Sequence, residues 1–179
     1  MDENIQCFLK SEAFSSSVAA AFRHTKIYRG NVSDTIKAEF HDELRKILDE
    51  ISSQYANTRI SDELHITNIE YLQRTIIDKN THILVDSGFT IGIAQKILNL
   101  YLKYLWCYGL IQEPPQCPFD QIILEIIKWK GAPWTKINTL EEYKRLKEQA
   151  KEKAKEKALS DHLAVWELKL WNERNIKNI

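Results

Sequence analysis

Apolar residues recur along most of the chain at spacings of three and four, the period of a helix with one buried face. Ile36, Phe40, Leu44, Ile47, Leu48, Ile51 and Tyr55 trace one such face. The break YRGNVSD before them offers Ser33 or Asp34 as N-cap. A second break, YANTRISD, offers Ser61 or Asp62, and Leu64, Ile66, Ile69, Leu72, Ile76 and Ile77 carry the next helix to Asn80. Residues 4 to 22 read as a first helix, weakened by a serine run. The pattern changes after residue 90. AQKILNLYLKYLWCYG is apolar around most of a helical circumference and stops at Gly109, suited to a left-handed C′ position. THILVDSGF, just before it, has a β-branched run but reads as a connection, because no second strand is present to pair with it.

Beyond Gly109, Pro114, Pro115 and Pro118 each disfavour helix at the preceding residue, so IQEPPQCP reads as an extended loop. Pro118 suits the N1 position of a helix through Lys128, with Asp120 in its first turn. Thr139 and Glu142 form a capping box. The charge-rich segment EEYKRLKEQAKEKAKEK then carries a thin stripe of Tyr143, Leu146, Ala150 and Ala154, for a helix that packs on one narrow line or protrudes. Ser160 is placed to cap a last helix with Leu163, Trp166 and Leu170 inward. The expected fold is all-α: one domain over residues 1–179, a bundle of five to seven helices around a central apolar helix, 91–108.

Twenty-five basic residues balance twenty-five acidic ones, which argues against recognition of nucleic acid or anionic membrane through overall charge. Residues 83 to 111 are apolar, but each lysine at mid-span would cost about 2.5–3.5 kcal/mol on insertion, so a core helix is expected and no membrane partner. Cys7, Cys107 and Cys117 fit no disulfide framework; reduced thiols and a cytoplasmic location are the expectation. The opening MDENIQCFLKSEAF has no apolar leader-like stretch. The five histidines show no metal-ligand spacing, and no phosphate-binding glycine loop is present, so neither metal nor cofactor is expected.

Placed at 100° per residue, the central helix gathers Gln95, Trp106, Asn99, Gly92, Lys103, Lys96 and Cys107 into one arc of about 120°. Two lysines about two turns apart with an amide between them suit a phosphate or carboxylate, and a tryptophan suits stacking. The same stripe on a solvent-facing side would lay lysine stems over apolar surface. Trp134 and Lys136, in the loop APWTKIN, join the binding candidates. The first functional expectation is therefore a nucleic-acid- or phosphate-ligand-binding domain acting through Lys96, Asn99, Lys103, Trp106, Trp134 and Lys136. The second is a protein-interaction or assembly subunit, with a protein partner or a second copy meeting the tryptophan-rich C-terminal half. The third is an enzyme, with Cys117 as nucleophile at a helix start, Asp120 orienting and a histidine such as His65 as base.

Two short stretches resemble known motifs. Glu167-Leu-Lys169 in VWELKLW resembles the E-x-K portion of metal-dependent nucleases, which implies a strand and a preceding acid such as Asp161. SGFTIGIAQK resembles the glycine-bearing hairpin of helix–hairpin–helix DNA-binding modules, which implies backbone amides cradling a phosphate; Gly88 and Gly92 stand wider apart than that motif's pair.

Overall fold

The computed structural model describes residues 1–23, 25–86 and 88–176, and its described part is all-helical, with no strand. The helices are α1 (Glu3–Phe22), α2 (Asp34–Ser53), α3 (Asp62–Asn80), α4 (Ile91–Cys107), α5 (Gln121–Ile126), α6 (Leu140–Lys155) and α7 (Leu163–Ile176), with a 3-10 turn at Trp134–Lys136. Polar caps set their starts. Ser33, Ser61, Thr90, Asp120 and Thr139 each accept a backbone N–H from the first turn that follows, satisfying a donor that has no partner within the helix. Glu142 does not close the expected capping box: its Oε1 accepts from Ala132 N at 3.0 Å, tying α6 to the preceding loop.

The centre of the bundle is α4. Every residue from Ile91 to Lys103 is buried. α1 makes its broadest contact, α3 lies alongside, and the 3-10 turn closes over its N-terminal end. The C-terminal end is held by Gly109, whose φ of +73° permits a left-handed turn; Gly109 N–H donates to Trp106 O and Leu110 N–H to Leu105 O. Gly92 supplies close approach at the other end. A Cβ there would meet the Trp134 carbonyl oxygen at 1.7 Å, and Gly92 N–H donates to Ile137 O at 2.8 Å.

Two elements differ from the sequence reading. α5 is short: Asp120, not a proline-led start, supplies the N-cap, and Lys128 at φ +56° ends it early. α7 begins at Leu163 instead of directly after Ser160. The described residues of THILVDSGF form no strand and are a connection, as read, tied by a single antiparallel bridge of Leu84 with Tyr28 in the α1–α2 loop. In α6, Tyr143, Leu146, Ala150 and Ala154 are fully buried, so its narrow apolar line packs. Among the described residues no helix is long and apolar enough to cross a membrane.

Because backbone, not a flexible side chain, occupies the space beside Gly92, Gly92→Ala must separate α4 from the 3-10 turn. Such overpacking should cost about 1–3 kcal/mol despite alanine's better helix propensity. Urea denaturation checks this; an unchanged or raised midpoint would contradict the contact.

Candidate functional site

The polar arc of α4 points inward. Two ion pairs close it. Lys96 Nζ meets Asp120 Oδ2 at 2.7 Å, and Lys103 Nζ meets Glu167 Oε2 at 2.6 Å. Lys103 also lies over the Trp171 ring, 5.8 Å from its centre, adding a cation–π attraction. The side chains of both lysines are nearly dry, at 7% and 11% exposure, while Asp120 keeps 28% and Glu167 9%. Asp120 is thus the wetter member of its pair, while Lys103 and Glu167 are about equally dry.

Between the lysines runs a chain of buried hydrogen bonds. His65 Nε2 lies 2.8 Å from Asn99 Oδ1 and His65 Nδ1 lies 2.8 Å from the Tyr55 hydroxyl. Asn99 turns its amide nitrogen to Gln95 Oε1 and the Tyr143 hydroxyl, so its oxygen must accept from His65. Nε2 then carries the imidazole proton, and Nδ1 accepts from Tyr55. Tyr143 donates to Gln116 Oε1, Gln116 Nε2 to Asp62 Oδ1, and Lys147 and Lys151 both donate to Asp62 Oδ2. Gln95 holds both backbone groups of Phe119, donating to its carbonyl at 2.7 Å and accepting its N–H at 3.1 Å. Among the described residues no buried polar side-chain atom lacks a partner.

Burial governs the titration of this interior. It drives the His65 pKa from 6.5 down to about 4, against the Asn99 hydrogen bond and the Asp62 charge. It raises Glu167, with Lys103 pulling the other way. It raises the Cys117 thiol well above its ordinary value, and the charges of Glu167 and Asp120 add to the effect.

The expected site residues are thus divided. Lys96, Asn99 and Lys103 are interior and already partnered. Trp106 is half-buried against the core, and Trp134 is buried at the 3-10 turn, whereas Lys136 beside it is exposed. Cys117 is fully buried, and both ring nitrogens of His65 are committed to Tyr55 and Asn99, so His65 is not placed to serve Cys117 as a base. Asp120 caps α5 and pairs with Lys96. Glu167-Leu-Lys169 lies on α7, without the strand its motif implies. Of the hairpin-like stretch, Ser87 lies outside the described residues; Gly88 abuts Val85 and Ile27 carbonyls and Gly92 abuts Trp134, so no open amide cradle forms. His24 of the histidine set also lies outside them. Among the described residues no cluster of His, Cys, Asp or Glu is arranged to hold a metal.

What the residue pattern alone missed is a cleft between α5 and α7. It has a volume of about 150 Å³ and is lined by Asp120, Ile122, Glu167, Leu170, Trp171 and Arg174. Ile122 at 37% and Trp171 at 54% exposure are among the few large apolar side chains left in solvent, and both stand at this cleft. Glu167 had a legible signal: it lies one turn from Leu163 and Leu170 on the apolar line of α7, where a carboxylate needs a cation.

No protein-family model, curated protein or solved structure matches the chain.

The buried thiol and imidazole yield two expectations. Iodoacetamide should alkylate Cys7 and Cys107, both exposed, in the native protein, and Cys117 only on unfolding; peptide mapping that found Cys117 labelled at a comparable rate would contradict the packing. For His65 the unfolded chain binds the proton first, so the stability from a neutral imidazole is complete above pH 6.5 and is lost as pH falls toward 4. The loss should reach about 3 kcal/mol. Lowered Asp62 adds to this slope. Raised Glu167 opposes it, since its folded form holds the proton more tightly. Urea melts at pH 7 and pH 4.5 should show a shallower pH dependence for His65→Gln than for the unaltered protein; equal slopes would remove His65 as the cause.

Proposed function

We propose that the chain is a protein-interaction or assembly subunit, and that its α5–α7 cleft receives a basic side chain of a protein partner. The observation that carries this reading is the charge lining the cleft. In this cleft Asp120 and Glu167 line the wall while Lys96 and Lys103 do not, so a phosphate entering it would face carboxylates. A lysine or arginine side chain meets the same carboxylates favourably, with Ile122, Leu170 and Trp171 to cover its methylene stem. Arg174 lines the same cleft and opposes a second cation there, so it favours a partner segment that carries an acid beside its basic residue.

The exposed aromatic is also the reporter. Peptides of sequence Leu-Arg-Leu and Leu-Glu-Leu, capped at both ends, should be titrated while indole emission is followed, with Trp171→Phe used to isolate the Trp171 signal. The arginine peptide should shift that signal and the glutamate peptide should not. Trp171→Ala and Ile122→Ser lie outside the core and should weaken binding about tenfold without lowering the melting temperature. Preference for the acidic peptide, or indifference to both substitutions, would overturn the reading.

A further inference from the structure

α5 has a second side, and its polarity is reversed. Two neighbouring grooves meet at Gln121. One, of about 340 Å³, runs along the α5–α6 loop past Glu125, Lys128, Trp129, Lys130 and Gly131. The other, of about 320 Å³, lies between α1 and α5 and is lined by Arg23, Lys96, Asp120, Ile122 and Trp134. Together they carry four cations against two carboxylates, in a chain whose formal charge is zero. Lys136 is exposed on the adjoining 3-10 turn. Both carboxylates are occupied, Asp120 by Lys96 and Glu125 by a hydrogen bond from Gln121 at 3.0 Å. Arg23, Lys128, Lys130 and Lys136 form no ion pair with any described carboxylate, unlike the lysines of α6 at 147, 151, 153 and 155.

Two local features show that the loop is shaped around an aromatic wall. Trp129 Nε1 donates to Ala132 O at 2.9 Å, and its indole lies so close over Gly131 that a Cβ there would sit 2.3 Å from the ring. Glycine at 131 is thus what lets the ring lie flat against the backbone. Trp129 is only partly buried and lines the groove. Lys128 occupies the left-handed position after α5, with φ +56°, where glycine or asparagine would be unstrained.

We infer that this face, Arg23, Lys128, Lys130 and Lys136 around Trp129, binds the phosphodiester backbone of single-stranded nucleic acid, with an unpaired base stacked on Trp129. Cations beside a groove-lining aromatic ring are the combination that sequence-independent single-strand binding uses, and stacking requires a base that is not already paired. This ligand class is the one expected of the α4 arc, moved to the surface where the cations are free. The site shares Asp120 and Ile122 with the α5–α7 cleft, but Trp129, Lys128, Lys130 and Arg23 do not line that cleft.

The test is fluorescence anisotropy of a labelled oligothymidylate of about 12 nucleotides, in low salt and across a salt series, with a duplex of equal length as competitor. Expected is binding that weakens steeply with salt, a log–log slope near −2 for about three phosphates, and poor competition by duplex. The double variant Lys128→Glu/Lys130→Glu should bind at least about tenfold more weakly, with an unchanged melting temperature because both side chains are exposed. Trp129→Phe should weaken binding while leaving the salt slope intact. No binding at low salt, equal competition by duplex, or undiminished binding by the folded double variant would each overturn the assignment. Trp171→Ala serves as the control for the other cleft and should leave oligonucleotide affinity unchanged.

Discussion

A helix enclosed on all sides cannot send a charge to water, and α4 carries two. Removing an ammonium group from solvent costs several kcal/mol even after the protein relaxes. That cost is bearable only where a carboxylate stands within hydrogen-bonding distance, as Asp120 does for Lys96 and Glu167 for Lys103. Such pairs do not rank high as net stabilisers, since well-packed apolar residues of similar volume commonly do as well. Their effect is on choice of arrangement. If α5 slipped by one turn, or α7 rotated by a third of one, a dry lysine would lose its partner at about 3–5 kcal/mol. The pairs therefore fix where the two C-terminal helices lie on α4.

The same rule reaches α6, which has the composition of a solvated rod. Lys147 and Lys151 lie one turn apart and both close on Asp62, in the first turn of α3. Asp62 is held ionised there: burial would raise its pKa, but hydrogen bonds from Lys151, Gln116 and Lys147 outweigh that and lower it. The hydrogen-bond chain from Tyr55 through His65, Asn99, Tyr143 and Gln116 then joins α3, α4, α6 and the proline-rich loop into one polar connection through an apolar core. A fully satisfied network of this kind is rigid, because each member's orientation is dictated by two neighbours. Gln95 extends it into the 116–120 loop by gripping both backbone groups of Phe119, and that loop delivers Asp120 to Lys96.

The helices themselves were legible in the chain because their information is local: three-and-four spacing, serine and threonine caps, and Gly109 past the end of α4. α5 was misjudged because two start signals compete within a few residues, and the Asp120 side chain bonding Ile123 N–H prevails over the fixed φ of Pro118. The orientation of the α4 arc was not legible at all. Its partners stand far away in sequence, 24 residues for Asp120, 34 for His65 and 64 for Glu167. Periodicity reports which residues share a face, not what that face meets. One clue did point inward. Gly92 lies in the same arc as the lysines, and a glycine inside a helix exacts a propensity penalty that close packing, not solvent, would justify.

These pairings also explain why a net charge of zero says little about recognition here. Three lysines, 96, 103 and 147, are buried, and each meets a carboxylate, Asp120, Glu167 and Asp62 in turn. Charge cancelled inside the core is invisible to a partner arriving from solvent, so what counts is the residue left at each surface. Asp120 illustrates the point from a single atom group. Its Oδ1 accepts from α5 and its Oδ2 holds Lys96, leaving the flanks of α5 to be set by other side chains: Glu167 and Trp171 on one side, Lys128, Lys130 and Arg23 on the other. A short helix pinned by one buried ion pair thereby separates an acid-faced cleft from a cation-lined one. At physiological ionic strength the Debye length of about 8 Å limits how far the charge of each surface acts, so the residues lining each groove, and not the net charge of the chain, set its local field.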